Sequence, residues 1–134
     1  AWGRVYYACH DAPVVVLQAQ SLAEFIIQYA DDCCQAGREG NLYHVSERFT
    51  HKVWDTGGKS TEAAGLRLSA DPVLRRAATS VEDGLVCDLR EARMGDGFSW
   101  GCFGARTIVT RPGPEPVWVL SRPAGTKKWW KLWG

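Results

Sequence analysis

The sequence predicts an α+β fold, and three observations lead to that prediction. Two β-runs, Arg4 to Cys9 and Val14 to Gln18, flank a His-Asp-Ala-Pro turn, which is typical of an antiparallel hairpin. Helix-start signals follow at Ser21 and again at Asp71. From Gly84 onward the apolar residues recur with a period of two, which indicates short strands. We therefore expect a hairpin plus a helix, followed by a second helix and a four-stranded antiparallel meander.

The first helix has the strongest local signals. Ser21 and Glu24 form a capping box, in which each side chain accepts a hydrogen bond from a backbone amide at the helix start. Apolar residues then recur at spacings of three and four, and these are Leu22, Phe25, Ile26, Tyr29 and Cys33. Because Gly37 is a natural C-terminal stop, the pattern predicts a helix over about 22–36.

The middle of the chain is less clear. Residues 41–55 fit either a helix or strands, and the helix is favoured because Leu42, Val45, Phe49 and Val53 share one helical stripe. Residues 56–65 are small and polar, as in a linker. Asp71 and Pro72 then begin the second helix as its N-cap and first residue.

The four strands of the expected meander are separated by glycine- and proline-rich turns. They are Leu85 to Leu89, Phe98 to Phe103, Thr107 to Thr110 and Val117 to Leu120. We expect residues 1–55 and 66–134 to be two segments of one compact unit, since 134 residues suit a single core.

Composition restricts the class of protein. The chain is 46% hydrophobic and 23% charged, which is ordinary for a globular domain. It lacks the run of about eighteen apolar residues that a membrane-spanning helix needs. Five cysteines, an odd number with one adjacent pair, make a poor disulfide framework, so we expect reduced thiols and a cytoplasmic location.

The opening segment resembles the C-terminal portion of the SUKH superfamily, which includes bacterial toxin-immunity proteins and Smi/Knr-like regulators. The residues that carry the resemblance lie within 3–30, and they are Gly3-Arg4-Val5-Tyr6-Tyr7, His10-Asp11, Pro13-Val14-Val15-Val16 and Ser21-Leu22-Ala23-Glu24-Phe25-Ile26. The resemblance implies a hairpin that leads into a helix, with residues 56–134 as an additional region. It also implies a module that binds and occludes another protein, such as a toxin or nuclease, without catalysis.

Two segments are candidates for partner binding. The turn around Asp96 could present Trp100 and Arg106 to a partner, although a hairpin whose aromatic residues pack into the sheet core is the favoured interpretation. The C-terminal tail combines cationic and aromatic residues, namely Lys127, Lys128, Trp129, Trp130 and Lys131. Such a tail could bind a membrane surface, nucleic acid or a protein groove, or form a final strand on the body.

Charge is distributed unevenly between the body and this tail. Residues 1–120 carry 12 basic and all 15 acidic groups, a net charge of −3, whereas residues 121–134 carry four basic groups and no acidic ones. An acidic body suits a basic protein partner. A peripheral membrane or nucleic-acid binder that acts through the tail is the alternative function.

No catalytic, metal or cofactor site is expected. Cys9, His10 and Asp11 could form part of a relay, but neighbours on a strand point to opposite faces. Cys33 and Cys34 lack zinc-ligand spacing and instead suggest a core cysteine beside an exposed one. Residues 56–60 end like a phosphate loop, in Gly58-Lys59-Ser60. The motif also requires a glycine five residues before Gly58, and that position is Val53.

Overall fold

The computed structural model describes residues 3–9, 11–39, 49–101, 104 and 106–122. The elements in chain order are β1 (Val5–Cys9), β2 (Val14–Ala19), α1 (Leu22–Glu39), α2 (Thr50–Thr56), β3 (Thr61–Glu62), α3 (Ala63–Leu66), α4 (Pro72–Thr79), β4 (Gly84–Asp88), β5 (Gly97–Ser99), β6 (Ile108–Thr110) and β7 (Val117–Ser121). The α+β class is confirmed, since these elements form helices and two antiparallel sheets. None of the described helices has the length and apolar character that would let it cross a lipid bilayer.

The first sheet has the strand order β1-β2-β5. The predicted hairpin is confirmed, with Cys9 opposite Val14 and Val5 opposite Ala19. Strand β2 is buried along its whole length, as expected for a central strand with apolar residues on both faces. Because both edges of a buried strand need hydrogen-bond partners, β2 requires a second neighbour, and β5 provides it.

The second sheet has the order β3-β4-β7-β6, so the predicted four-stranded meander is wrong in its topology. All four expected strands exist, but the second ends at Ser99 and pairs with β2 instead of β4. A close backbone contact with β2 explains why this strand does not join the second sheet. A Cβ atom added to Gly97 would lie 2.1 Å from the Val15 carbonyl oxygen, so only glycine allows this approach. The edge of β4 that β5 leaves open is taken by β3.

The alternation of side chains along the strands produces a layered core. Val15 and Leu17 on β2 and Phe98 on β5 form one buried cluster with Cys87 and Leu120 of the second sheet. The opposite face of β2 packs against Val53 of α2. On the outer face of the second sheet, Val86, Val117 and Val119 pack against α3 and α4. The order of layers is therefore helix, sheet, sheet and helices.

The predicted helix caps are confirmed, whereas some helix ends differ. Ser21 Oγ accepts a hydrogen bond from the Glu24 amide (3.1 Å), and Glu24 accepts one from the Gln20 amide (2.9 Å). The carboxylate of Asp71 accepts from the Val73 and Leu74 amides at the start of α4.

Three expectations for the helical regions need correction or restriction. Helix α1 continues through Gly37 to Glu39, because Gly37 keeps a negative φ and does not take the left-handed conformation with which a glycine ends a helix. The expected linker at 56–65 contains β3 and the start of α3, because β4 offers an edge with which Thr61 and Glu62 pair. Of the ambiguous 41–55 region, residues 41–48 lie outside the described part, and the rest contributes to α2.

Candidate protein-interaction surface

Helix α1 exposes its large apolar residues. Leu22, Ile26, Ile27 and Tyr29 are 58%, 57%, 63% and 51% exposed, and no side chain from Leu22 to Arg38 is buried. An amphipathic helix normally turns its apolar stripe toward the core. Leu22, Ile26 and Tyr29 lie on one side of the helix, and we call these three residues the exposed α1 face.

The inner side of α1 explains why the apolar stripe points outward. Half-buried positions recur at helical spacing at Phe25, Gln28, Asp32 and Ala36, and two of these residues are polar. The main neighbour of α1 among the described elements is β2. The sequence pattern identified Leu22, Ile26 and Tyr29 as apolar positions but could not show which side of the helix meets the body. Ile27 lies off that stripe and was missed.

The exposed apolar residues also follow a seam that is typical of helix pairing. Leu22, Ile26, Tyr29 and Cys33 are separated by four, three and four residues, which is the spacing of alternating core positions in a coiled coil. At a rise of about 1.5 Å per residue, this seam is about 17 Å long. Such a seam can fill a groove between helices of a partner.

The helix that bears the seam is acidic. Helix α1 contains Glu24, Asp31, Asp32 and Glu39 against a single basic residue, Arg38, a net charge of −3. Asp31 and Arg38 are exposed. The exposed α1 face therefore belongs to a helix with a negative net charge.

The residues expected around the Asp96 turn have separate environments. Asp96 pairs with Lys59 Nζ (2.8 Å) and accepts from the Arg93 amide (2.8 Å). Burial raises the pKa of Asp96, but the hydrogen bonds and Lys59 outweigh it, so the pKa lies below its usual value. Trp100 is half-buried against the inter-sheet core, in agreement with the favoured interpretation, whereas Arg106 is exposed.

The tail candidates, Lys127, Lys128, Trp129, Trp130 and Lys131, lie outside the described residues. Their role in binding stays a prediction from the sequence.

The segment that resembles a phosphate loop is occupied by backbone pairing. The Lys59 amide donates to the Gly97 carbonyl (2.8 Å), and the Ser99 amide donates to the Gly57 carbonyl (3.1 Å). The Gly58 amide donates to Thr56 Oγ1 (3.3 Å), and the Lys59 side chain pairs with Asp96. The amides and the lysine that a phosphate loop would use are thus committed to the fold.

The cysteines provide no site among the described residues. Cys9 is half-buried in the hairpin, and its sulfur accepts a hydrogen bond from the Ala12 amide (3.4 Å), which lowers the pKa of the Cys9 thiol. His10, the second member of the hypothetical relay, lies outside the described part. Cys33 and Cys34 are both exposed, so the expectation of one core cysteine is wrong, since α1 turns its apolar stripe outward.

Metal binding finds no support in the described ranges, where no three His, Cys, Asp or Glu side chains cluster closely enough to hold an ion. The exposed α1 face therefore remains the clearest candidate for recognition. No protein-family model, curated protein or solved structure matches this chain at a significant level.

Proposed function

We propose that this chain is a protein-binding module that inserts the exposed α1 face into an apolar groove of another protein and occludes it. The observation that carries this proposal is the presence of three large apolar side chains on one side of a helix, each more than half exposed. Exposed apolar patches with a polar rim are typical of interaction sites. The proposed role is that of the immunity proteins that residues 3–30 resemble.

The charge of α1 favours a protein partner over the alternative surfaces. Its net charge of −3 would be repelled by anionic lipids and by nucleic acid phosphates. A protein groove rimmed by lysine or arginine would complement it. The alternative, in which the basic tail binds a membrane or nucleic acid, rests on the sequence of residues 127–131 alone.

The apolar side chains can supply useful binding energy. Complete burial of a large aliphatic or aromatic side chain is worth about 1.5–3 kcal/mol, so burying the exposed half of each yields about 1 kcal/mol. The three residues of the face together contribute about 3 kcal/mol before the cost of association. A charge placed at the centre of the face should remove much of this and add a desolvation penalty.

The test uses Ile26→Asp and a matched control, Leu68→Asp. Leu68 is 96% exposed and lies in the segment between α3 and α4, so its substitution adds the same charge outside the exposed α1 face. Circular dichroism checks that both variants keep the wild-type helix content. Proteins captured from extracts of the source cells are compared by quantitative mass spectrometry.

A candidate partner is then purified and titrated by calorimetry with all three proteins. We expect Ile26→Asp to weaken its binding about 100-fold and Leu68→Asp to leave it unchanged. Added salt should weaken the wild-type complex, because α1 carries a net negative charge. The proposal is wrong if no captured protein distinguishes the two variants, or if sedimentation shows that the face is covered by a second copy of the chain.

A further inference from the structure

A cavity of about 220 Å³ lies where the first strand of the hairpin meets the end of β4 and the β6–β7 loop. Three arginines line it, together with one tyrosine and two prolines, namely Arg4, Arg90, Arg111, Tyr6, Pro114 and Pro116. Guanidinium groups and a phenol supply hydrogen-bond donors, and a guanidinium has no acceptor. The lining is therefore rich in donors, and the ligand that suits it is rich in acceptors.

The positions of the arginines are fixed by the fold. Arg4 donates to the Leu89 and Arg90 carbonyl oxygens at 2.7 and 2.8 Å and so connects the two sheets. Arg111 donates to the carbonyl oxygens of Glu115 and Pro114, and its guanidinium lies 5.4 Å from the centre of the Trp118 ring. Preorganised guanidinium groups lose little conformational freedom when they bind a ligand.

Among the described residues, carboxylates neutralise only one of the cavity's three arginines, so the cavity keeps a positive charge. Arg90 pairs with Asp71 (2.6 Å) and Asp88 (2.7 Å). Arg4 and Arg111 make no ion pair with any described residue, and Glu115, the carboxylate next to Arg111 in the loop, pairs with Arg76 instead. Three guanidinium groups against two carboxylates leave one net positive charge at the cavity.

Tyr6 provides a separate observation. Its hydroxyl oxygen is buried and makes no hydrogen bond with any described residue, while its ring packs edge-on against Trp118 at 5.0 Å. A buried polar group without a partner is uncommon in native proteins and calls for an explanation such as a bound water or ligand. The neighbouring guanidinium groups have no acceptor for its proton, so an acceptor that entered the cavity would complete its hydrogen bonding.

We infer that this cavity binds a small oxyanion, a phosphate or carboxylate group on a compact molecule, through the guanidinium groups of Arg4 and Arg111. The volume corresponds to about seven water molecules, which suits a small anion better than a nucleotide. Arginine pairs with both groups through two parallel hydrogen bonds. This site is independent of the exposed α1 face, so it would add a ligand to the protein-binding function.

Calorimetry at constant ionic strength tests the inference with inorganic phosphate, glycerol phosphate and acetate as separate probes. Saturable binding of the phosphates assigns phosphate chemistry, and saturable binding of acetate assigns a carboxylate. Arg111→Gln should weaken the binding of the preferred probe about tenfold or more, which is the loss of one charge-assisted contact. The matched control is Arg106→Gln, at an exposed arginine outside the cavity, and should bind like the wild type.

Arg111 is exposed, and its hydrogen bonds to loop carbonyls and its contact with the Trp118 ring lie at the surface, so its variants should fold, and thermal unfolding checks this. Arg111→Lys keeps the charge but removes the planar pair of donors, and we expect several-fold weaker binding. The inference is overturned if no probe binds saturably at millimolar concentration, or if Arg111→Gln and Arg106→Gln bind equally well.

Discussion

Two adjacent glycines allow a sharp test of how β5 is held. Gly57 and Gly58 both have positive φ angles, +71° and +69°, so alanine is strained equally at each position. A Cβ at Gly57 meets nothing within 4 Å, whereas a Cβ at Gly58 would lie 2.2 Å from the Gly97 carbonyl oxygen. The obstacle is backbone and cannot move aside as a flexible side chain would.

The size of each effect follows from these contacts. An alanine in the left-handed conformation costs about 1–2 kcal/mol. Replacing glycine also reduces the conformational entropy of the unfolded chain, which stabilises the folded state by about 0.4–1 kcal/mol. The net effect of Gly57→Ala should therefore be a destabilisation of about 1 kcal/mol. Gly58→Ala must also open the pairing with β5, which the Lys59 and Ser99 amides hold with two hydrogen bonds. At about 1 kcal/mol each, these raise the loss to about 3 kcal/mol.

Urea unfolding followed by circular dichroism measures the difference in free energy of unfolding. The corresponding decreases in Tm are about 4 °C for Gly57→Ala and about 12 °C for Gly58→Ala. Equal losses for the two variants, or a larger loss for Gly57→Ala, would refute the close approach of residues 57–59 to β5.

Three further predictions concern the core and the arginine cavity. Phe98→Ala should lower the free energy of unfolding by about 3–5 kcal/mol, because this fully buried ring packs between the sheets, and a loss under about 1 kcal/mol in urea unfolding contradicts that placement. Tyr6→Phe should cause no loss in the absence of added anions, since its hydroxyl has no partner among the described residues, and a clear loss by the same assay would reveal one. Burial raises the pKa of Asp88, but hydrogen bonds from Arg90 outweigh it and place the pKa below its usual value. The contribution of Asp88 to the free energy of unfolding is therefore complete above the pKa of the unfolded state, near 3.9, and decreases as the pH falls through the pKa of the folded state. Asp88→Asn should accordingly destabilise the protein at pH 7 and have no effect in strong acid.

Local signals in the sequence predicted local structure well. The hairpin, the Ser21–Glu24 cap and the Asp71-Pro72 helix start each depend on residues within a few positions of one another, and each is confirmed. The neighbour of a strand is a different question, because a period of two identifies a strand without naming its partner. Gly97–Ser99 pairs with β2 across about 80 residues, so the meander was the simplest arrangement and was wrong.

The candidate sites could be predicted only in part for the same reason. Helical spacing revealed the apolar stripe of α1, but the side that meets the body depends on β2, which lies in a different element. The arginine cavity had no sequence signal at all. Arg4, Arg90 and Arg111 are far apart along the chain and meet only because the two sheets pack together.

The distant pairing of β2 has a consequence for synthesis on the ribosome. At about 5–20 residues per second, the chain needs roughly 4–16 s to extend from Ala19 to Ser99. Throughout that interval the nascent Val14–Ala19 strand has one unpaired edge and two exposed apolar faces. Such a strand can pair with another chain. Protection by chaperones during those seconds should therefore matter more for the yield of this protein than its equilibrium stability does.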